Sequence, residues 1–186
     1  MTGHKEENNI SEGGILMTGQ QYDRTVSFFR KNQGWISGIK ILNHILTLTG
    51  FIVYPAIILS LLYKKSRKLK TYLLLPAVAF ILVSIFRKKW NRPRPYENPE
   101  IHTITKREKK GQSFPSRHLF SYFLISVLLL SLCPPAGILM MASGLILAAI
   151  RVILGVHYPS DVIAGMFLGI LSGWITILSD ARCTKK

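Results

Sequence analysis

The stretch Val162-Ile-Ala-Gly-Met-Phe-Leu-Gly-Ile-Leu-Ser-Gly-Trp-Ile-Thr-Ile-Leu178 carries no charged side chain. Four further apolar stretches precede it, at residues 41–62, 69–86, 119–133 and 138–150, the last running on to residue 156. A helix needs about 20 apolar residues to cross a bilayer, and the stretch at 119–133 is short of that length. All five are apolar on every side, as in membrane-embedded helices. The chain is therefore predicted to be an all-α, polytopic membrane bundle of about five to six transmembrane helices.

Gly165, Gly169 and Gly173 recur at every fourth position of the last stretch. Small residues at this spacing let two helices approach each other closely. We expect this face to pack against another helix inside the same bundle. A homodimer that forms through the same three glycines is the alternative.

Basic residues dominate the rest of the chain, which has 186 residues and a net charge of +15. This length corresponds to one domain. The Lys and Arg side chains flank the apolar stretches, where anionic lipid headgroups are their usual partners. No nucleic-acid-binding motif accompanies the charge, so the predicted partners are membrane lipids and not nucleic acid. Residues 1–35 hold no apolar signal-peptide segment, so the first apolar stretch is expected to act as an uncleaved insertion signal.

The ends of the chain differ from its apolar middle in composition. Residues 1–20 are polar and rich in glycine, and we expect a disordered tail there. Apolar and basic residues mix between residues 22 and 39, which predicts an N-terminal amphipathic helix at the membrane interface. Residues 21–180 then form a single membrane-embedded domain, and residues 181–186 a short basic tail.

Polar residues capable of chemistry are concentrated in three clusters, at residues 87–95, 115–118 and 151–161. The first cluster follows the second apolar stretch, and the second cluster precedes the third stretch. The third cluster joins the fourth stretch to the fifth. Because successive membrane helices cross in alternate directions, all three clusters are predicted to share one membrane face.

The clusters supply groups that suit a phosphate. Arg87, Arg94 and Arg151 lie at helix ends or between prolines, and the fork of donors on an arginine fits phosphate oxygens. Ser116 is suited to cap the third helix, whose first N–H groups would face the same anion. The alternative for any single arginine is an anchor at the membrane interface.

The two histidines of these clusters have complementary surroundings. Asp161 follows His157 by four residues, across the first turn of the last helix. A carboxylate on one ring nitrogen fixes the tautomer and leaves the other nitrogen free to attack. His118 is then expected to protonate the leaving oxygen as a general acid. Since Asp161 is the single carboxylate embedded in the clusters, no metal and no cofactor are expected.

These motifs resemble the type-2 phosphatidic acid phosphatase (PAP2) superfamily, the membrane lipid phosphatases related to vanadium haloperoxidases. The family pattern has the parts Lys-x6-Arg-Pro, Pro-Ser-Gly-His and Ser-Arg-x5-His-x3-Asp, which match residues 87–161 in order. The resemblance implies a haloperoxidase-like helical core and a metal-independent phosphohistidine mechanism. It implies His157 as nucleophile, Asp161 as its orienting partner and His118 as the acid. It also implies a phosphate-binding set of Arg94, Arg151 and Ser116.

Three positions depart from the family pattern. Arg87 stands in place of the lysine, so the charge and its expected role at the phosphate are retained, and Ile150 replaces the serine of the third part. Arg117 replaces the glycine of Pro-Ser-Gly-His. A cation in the first turn of a helix opposes the helix dipole. We therefore expect Arg117 to bind an anion, which could be a second phosphate of the substrate.

The compact size and short loops resemble bacterial members that dephosphorylate undecaprenyl diphosphate or phosphatidylglycerophosphate. Arg117 favours undecaprenyl diphosphate, with phosphatidylglycerophosphate or phosphatidic acid as the alternative substrate. A non-catalytic lipid-binding membrane protein is the alternative of another class. The basic turn at residues 64–70 and the basic tail predict that their face is cytoplasmic. The site of this multi-pass protein is then expected on the extracytoplasmic face of the cell membrane.

Overall fold

The computed structural model of the protein describes residues 22, 24, 26, 27, 29, 32–99, 101–105 and 110–183. Five long helices follow in chain order, α1 (Gln33–Tyr63), α2 (Lys68–Trp90), α3 (Arg117–Leu132), α4 (Pro134–Ile153) and α5 (Pro159–Cys183). A short 3₁₀ helix, Pro95–Glu97, lies in the α2–α3 loop, and no strand occurs among these residues. The all-helical fold class is confirmed. The expected tail at residues 1–20 and residues 184–186 of the expected tail at 181–186 lie outside the described residues, whereas residues 181–183 belong to α5.

Each predicted apolar stretch coincides with one of the five helices, but the third stretch ends one residue after α3, and the extension of the fourth to residue 156 ends after α4. By length and composition, α1, α2, α4 and α5 are able to cross a membrane, and α3 is an apolar helix of 16 residues. Proline at the first helical position begins both α4 and α5, where its missing N–H costs nothing. Large apolar side chains such as Leu82, Ile85 and Phe167 are exposed on the outside of the bundle. That surface is typical of a multi-pass membrane protein.

The short helix α3 is the centre of the bundle. It contacts α1, α2, α4 and α5, and its side chains are buried from Leu119 to Leu128 apart from Ser121. Its apolar surface therefore faces other helices and not lipid, which explains why it is apolar on all sides although it is short.

The glycine face of α5 lies against α3 of the same chain. A Cβ atom added to Gly165 would lie 2.5 Å from the carbonyl oxygen of Ser116, and one added to Gly169 would lie 2.4 Å from that of Phe120. Gly173 meets Val127 in the same way, at 2.7 Å. Packing inside the bundle is thus confirmed for these glycines. A homodimer through them would need a face that α3 already covers.

The predicted helix at residues 22–39 is divided in two. The described residues between 22 and 29 are helical, with Tyr22 and Val26 buried and Arg24 exposed. Asn32 is extended and accepts a hydrogen bond from the N–H of Gly34, so it caps α1. Residues 33–39 of the predicted helix are therefore the first residues of α1. The first segment packs on the long loop and the α4–α5 turn, and the Tyr22 hydroxyl donates to the Ile153 carbonyl at 2.8 Å.

Candidate active site

The long loop between α2 and α3 folds back on itself and brings its polar residues to the bundle end. The Glu97 carboxylate accepts hydrogen bonds from the N–H groups of Arg94 and Gly111, at 2.9 and 2.7 Å. The N–H of Ser113 donates to the carbonyl of Arg92 at 2.9 Å. These bonds hold the first polar cluster beside the second cluster, so the two ends of the loop form one surface.

The turn between α4 and α5 brings in the third cluster. Gly155 has a φ of +68°, a left-handed conformation that favours glycine, and a Cβ there would lie 2.4 Å from Cγ2 of Thr103. The turn ends at Pro159, so His157 lies just before α5 and Asp161 lies in its first turn. The N–H of Ser116, at the start of α3, donates to the Asp161 carbonyl at 2.9 Å. All three clusters therefore meet at one end of the bundle.

His157 and Asp161 form a buried pair. His157 Nδ1 lies 3.5 Å from Asp161 Oδ2, and the side chains are 2% and 0% exposed. The same carboxylate oxygen accepts hydrogen bonds from the Ser113 hydroxyl and from the Tyr158 N–H, the latter at 3.0 Å. Since Nδ1 faces the carboxylate, Nε2 is the ring nitrogen left for a substrate.

The electrostatic surroundings keep His157 neutral. Burial lowers the pKa of His157 to about 4, and the charges of Arg94 and Arg87 act in the same direction. The hydrogen bond and the charge of Asp161 oppose this shift without cancelling it. A neutral imidazole retains the lone pair that nucleophilic attack requires.

Arg87 is buried and holds the loop in shape. Its Nη1 donates to the carbonyl of Pro115 and its Nη2 to the carbonyl of Gln112. Its Nε is buried and has no hydrogen-bond partner among the described residues. Both terminal nitrogens thus bind backbone carbonyls. The expected contact of Arg87 with phosphate stays a prediction, and Nε is the nitrogen that could make it.

Three other predicted phosphate ligands surround the same end of the bundle. The bond from Arg94 Nε to the Gly111 carbonyl, at 2.9 Å, leaves the two terminal nitrogens of this buried arginine available to an anion. Arg151 is also buried and donates from Nη2 to the Thr47 hydroxyl at 2.8 Å. The Ser116 hydroxyl is buried and has no hydrogen-bond partner within the described part of the chain.

The start of α3 adds further donors and the second histidine. Ser116 occupies the N-cap position as predicted, although its hydroxyl makes no capping bond. The first helical hydrogen bond runs from the N–H of Phe120 to the carbonyl of Ser116, so the N–H groups before it are not used within the helix. His118 lies in this first turn, near His157 and close enough to Arg151 for the charge of this arginine to act on its ring. The structure thus brings both predicted histidines to one site.

A cavity of about 500 Å³ adjoins the site. It lies between α1, α2 and α3, and its walls are mostly apolar, with Phe51, Leu73 and Ile125 among the lining residues. Arg117 and His118 line it at the end where α3 begins. The guanidinium carbon of Arg117 lies 5.9 Å from the centre of the Phe80 ring. The cavity is therefore an apolar slot with a cationic end.

Three residues in this site were not predicted from the sequence. Arg92 and Ser113 bind the Asp161 carboxylate directly, and Glu97 closes the loop. The repeated Arg-Pro pair in Arg92-Pro-Arg94-Pro indicates both arginines equally as candidates. Ser113 and Glu97 have no periodic relation to the motifs. Within the described residues, no group of three or more His, Cys, Asp or Glu side chains could hold a metal ion.

Comparison with known families matches residues 68–185 to the PAP2 superfamily. The chain belongs to the PAP2 superfamily. The family recognised from the three motifs is thereby confirmed. The predicted class of enzyme, a hydrolase of lipid phosphates, is also confirmed, because relatives of the chain are named as phosphatases of this kind.

Three relatives illustrate the similarity. Undecaprenyl-diphosphatase of Sulfolobus acidocaldarius is 29% identical over 150 residues, which are 74% of this chain and 71% of that protein. Lipid A 1-phosphatase of Rhizobium etli is 37% identical over 75 residues, 39% of this chain and 31% of the relative. The bacitracin transport permease protein BcrC of Bacillus licheniformis is 33% identical over 96 residues, 51% of this chain and 47% of the relative.

Two solved structures have the same fold. Aquifex aeolicus LpxE superposes with a TM-score of 0.67 at 19% identity, covering 90% of this chain and 98% of that chain. The PAP2-type phosphatidylglycerolphosphate phosphatase of Bacillus subtilis superposes with a TM-score of 0.63 at 22% identity, covering 88% and 86%. The helical bundle of the PAP2 superfamily is thus the fold of this chain.

Proposed function

We propose that the protein hydrolyses a lipid diphosphate, with undecaprenyl diphosphate as the favoured substrate, through a phosphohistidine on His157 and without a metal ion. The observation that carries this proposal is the buried pair of His157 and Asp161 at the point where the arginines and the N-terminus of α3 meet. Arg94, Arg151 and the Ser116 hydroxyl would hold the phosphate, with Arg87 Nε as a further donor.

In the first step, the Nε2 lone pair of His157 attacks the terminal phosphorus. A P–N bond forms as the bond from phosphorus to the leaving oxygen breaks, and the leaving oxygen takes a proton from His118. Burial and the charge of Arg151 lower the pKa of His118, and the negative charge of a bound substrate would raise it so that His118 enters the reaction protonated. Asp161 stabilises the charge that develops on the imidazole through its contact with Nδ1. The cationic donors around the site stabilise the charge on the phosphoryl oxygens.

In the second step, water attacks the phosphohistidine. His118, now neutral, accepts a proton from that water as the P–O bond forms and the P–N bond breaks. Inorganic phosphate leaves, and both histidines return to their starting protonation states. The cycle needs no oxidant and no further reactant.

The cavity supports a lipid with a linear apolar chain and a charged head. Its walls can shelter a hydrocarbon chain, and Arg117 lies where the headgroup would enter the site. A diphosphate presents two anionic groups, so one can be bound by Arg117 while the other is attacked at His157. The name of the Sulfolobus acidocaldarius relative, undecaprenyl-diphosphatase, agrees with this substrate class. Phosphatidylglycerophosphate and phosphatidic acid remain the alternative substrates.

The basic turn between α1 and α2 supports an extracytoplasmic site, although the loop that carries the site is itself more basic, since several of its arginines serve the phosphate. Five basic residues lie between α1 and α2 or at the start of α2, at the end of the bundle opposite to Arg87; they are Lys64, Lys65, Arg67, Lys68 and Lys70. Basic residues next to membrane helices favour the cytoplasmic side. The opposite end, which contains His157, would then face outward.

Phosphate release by purified protein in detergent with EDTA tests this proposal. The substrates are a polyprenyl diphosphate, phosphatidylglycerophosphate and phosphatidic acid, and His157→Ala is compared with His44→Ala, which changes an exposed histidine of α1. Release that only His157→Ala abolishes supports the proposal, and a preference for phosphatidylglycerophosphate supports the alternative substrate. No release from any lipid would support a lipid-binding protein. Release that requires an added metal ion would overturn the mechanism.

A further inference from the structure

Arg92 makes a direct ion pair with the carboxylate that orients the nucleophilic histidine. Its Nη1 lies 2.7 Å from Asp161 Oδ1 and 3.0 Å from the Ser160 hydroxyl. Its guanidinium carbon lies 4.9 Å from the ring centre of Tyr158 and 5.8 Å from that of Phe114. The side chain is only 16% exposed. The guanidinium is thus fixed by a hydrogen bond and an ion pair to the first turn of α5 and by the rings of Tyr158 and Phe114.

We propose that Arg92 is a positioning residue that holds the Asp161 carboxylate in place and thereby sets the orientation and protonation of His157. This inference rests on the proposed function, because it assigns a role in the reaction at His157. Arg92 acts through Asp161 and needs no contact with the substrate.

The two oxygens of Asp161 have different partners. Oδ1 accepts from Arg92, while Oδ2 accepts from Ser113 and Tyr158 and faces His157. Asp161 is fully buried, and an ionised carboxylate without a cationic partner is costly in such a place. The charge of Arg92 neutralises that of Asp161, so the carboxylate can orient His157 without drawing a second proton onto its ring.

Charged groups reach His157 from several elements. Arg87 on α2, Arg94 in the long loop and Asp161 on α5 act on its ring, and His118 on α3 lies near it. Arg151 ends α4 near His118. Asp161 is the one anion among these named groups. Loss of the cation that balances it is therefore expected to raise the pKa of His157.

Arg92→Gln and Arg92→Lys test the inference, with Arg67→Gln as a matched control at an exposed arginine of the α1–α2 turn. Phosphate release from the preferred lipid is measured against pH, and melting temperature in detergent reports folding. Arg92→Gln is expected to lower kcat about 10- to 100-fold, the range seen when the hydrogen-bond partner of a metal-binding histidine is lost. KM should stay near the wild-type value, because Arg92 does not contact the substrate. The acid limb of kcat/KM should move upward by about one to two pH units.

Arg92→Lys should recover part of kcat and return the acid limb towards the wild-type position, because it retains the charge. The inference is overturned if Arg92→Gln is as active as Arg67→Gln, or if a folded Arg92→Gln loses activity with an unmoved acid limb. A selective rise in KM would overturn it too, since that result makes Arg92 a substrate ligand. If wild-type protein releases no phosphate from any lipid, the proposed function fails first. If Arg92→Gln does not fold, Arg92→Lys decides: the inference expects a lower kcat with KM near the wild-type value, and wild-type kcat or a selective rise in KM overturns it.

Discussion

His157 Nδ1 lies 3.5 Å from Asp161 Oδ2. His157 comes just before α5, and Asp161 follows it by four residues in the first turn of that helix. The Tyr158 N–H donates to the same oxygen, so the carboxylate is fixed by the backbone that also carries the histidine. This local arrangement decides which ring nitrogen of the buried histidine is left for a substrate. The reaction proposed for the site depends on that choice.

Asp161→Asn should lower kcat about 100-fold or more, because an amide cannot stabilise a charged imidazole and presents a donor to Arg92 and Ser113. The measurement is phosphate release at saturating lipid. Asp180→Asn, at the far end of α5, is the matched control and should keep wild-type activity. Equal activity of the two variants would mean that Asp161 does not take part in the reaction.

His118→Gln should slow the attack on a lipid monophosphate far more than the attack on p-nitrophenyl phosphate. The lipid alkoxide needs a proton to leave, whereas nitrophenolate is stable without one. We expect a loss of about 100-fold or more for the lipid, as for other general acids, and a much smaller loss for the nitrophenyl ester. Equal losses for both substrates would exclude His118 as the acid.

Arg117→Gly restores the glycine of the family motif and removes a cation from the end of the cavity. The ratio of kcat/KM for a polyprenyl diphosphate to that for the monophosphate is expected to fall about tenfold, roughly the effect of losing one charge-assisted hydrogen bond. Kinetics on both lipids measure it. An unchanged ratio would show that Arg117 does not bind a second phosphate.

Gly169→Ala should destabilise the bundle, because its Cβ would lie 2.4 Å from the carbonyl oxygen of Phe120. We expect a loss of about 1–3 kcal/mol in the free energy of unfolding, seen as a lower melting temperature in detergent. Gly38→Ala in α1 is the control, since a Cβ there meets nothing within 4 Å. That change should be neutral or stabilising. Equal melting temperatures would contradict the tight α3–α5 packing.

Stability should fall as the pH is lowered, in part because of His157. Below about pH 6.5 the unfolded chain binds a proton on this histidine, while the folded protein, where its pKa is about 4, does not. This proton lowers the free energy of unfolding by about 2 kcal/mol at pH 5, and the decrease reaches its full size below about pH 4. The drop in melting temperature from pH 7 to pH 5 should be smaller in His157→Gln than in His44→Gln. Equal drops would contradict the buried, neutral histidine.

Features that depend on neighbouring residues could be predicted from the sequence. The pairing of His157 with Asp161 spans one helical turn, and the glycine face of α5 follows from a repeat of four residues. The positions of the helices follow from the apolar stretches. Because these helices alternate in direction, the three distant clusters were predicted to lie at one end of the bundle, and the structure has them there.

Features that depend on the path of the long loop could not be predicted. Whether Arg92 or Arg94 reaches Asp161 is decided by bonds across the loop, such as the one from the Ser113 N–H to the Arg92 carbonyl. Arg87 binds carbonyl oxygens of the same loop because buried backbone acceptors need donors. Neither requirement leaves a periodic trace in the sequence. Arg92 and Ser113, the further partners of Asp161, were therefore found only in the folded protein.

A direct trap of the phosphoenzyme is the measurement that bears most closely on the mechanism. Wild-type protein, His157→Gln and His118→Gln are mixed with a lipid diphosphate that carries a radiolabelled terminal phosphate, and the reaction is stopped in alkali with EDTA present. The expected result is label on the wild-type and His118→Gln proteins that is stable in alkali and lost in acid, with none on His157→Gln. Label that persists on His157→Gln, or full phosphate release by that variant, would contradict a phosphohistidine at His157.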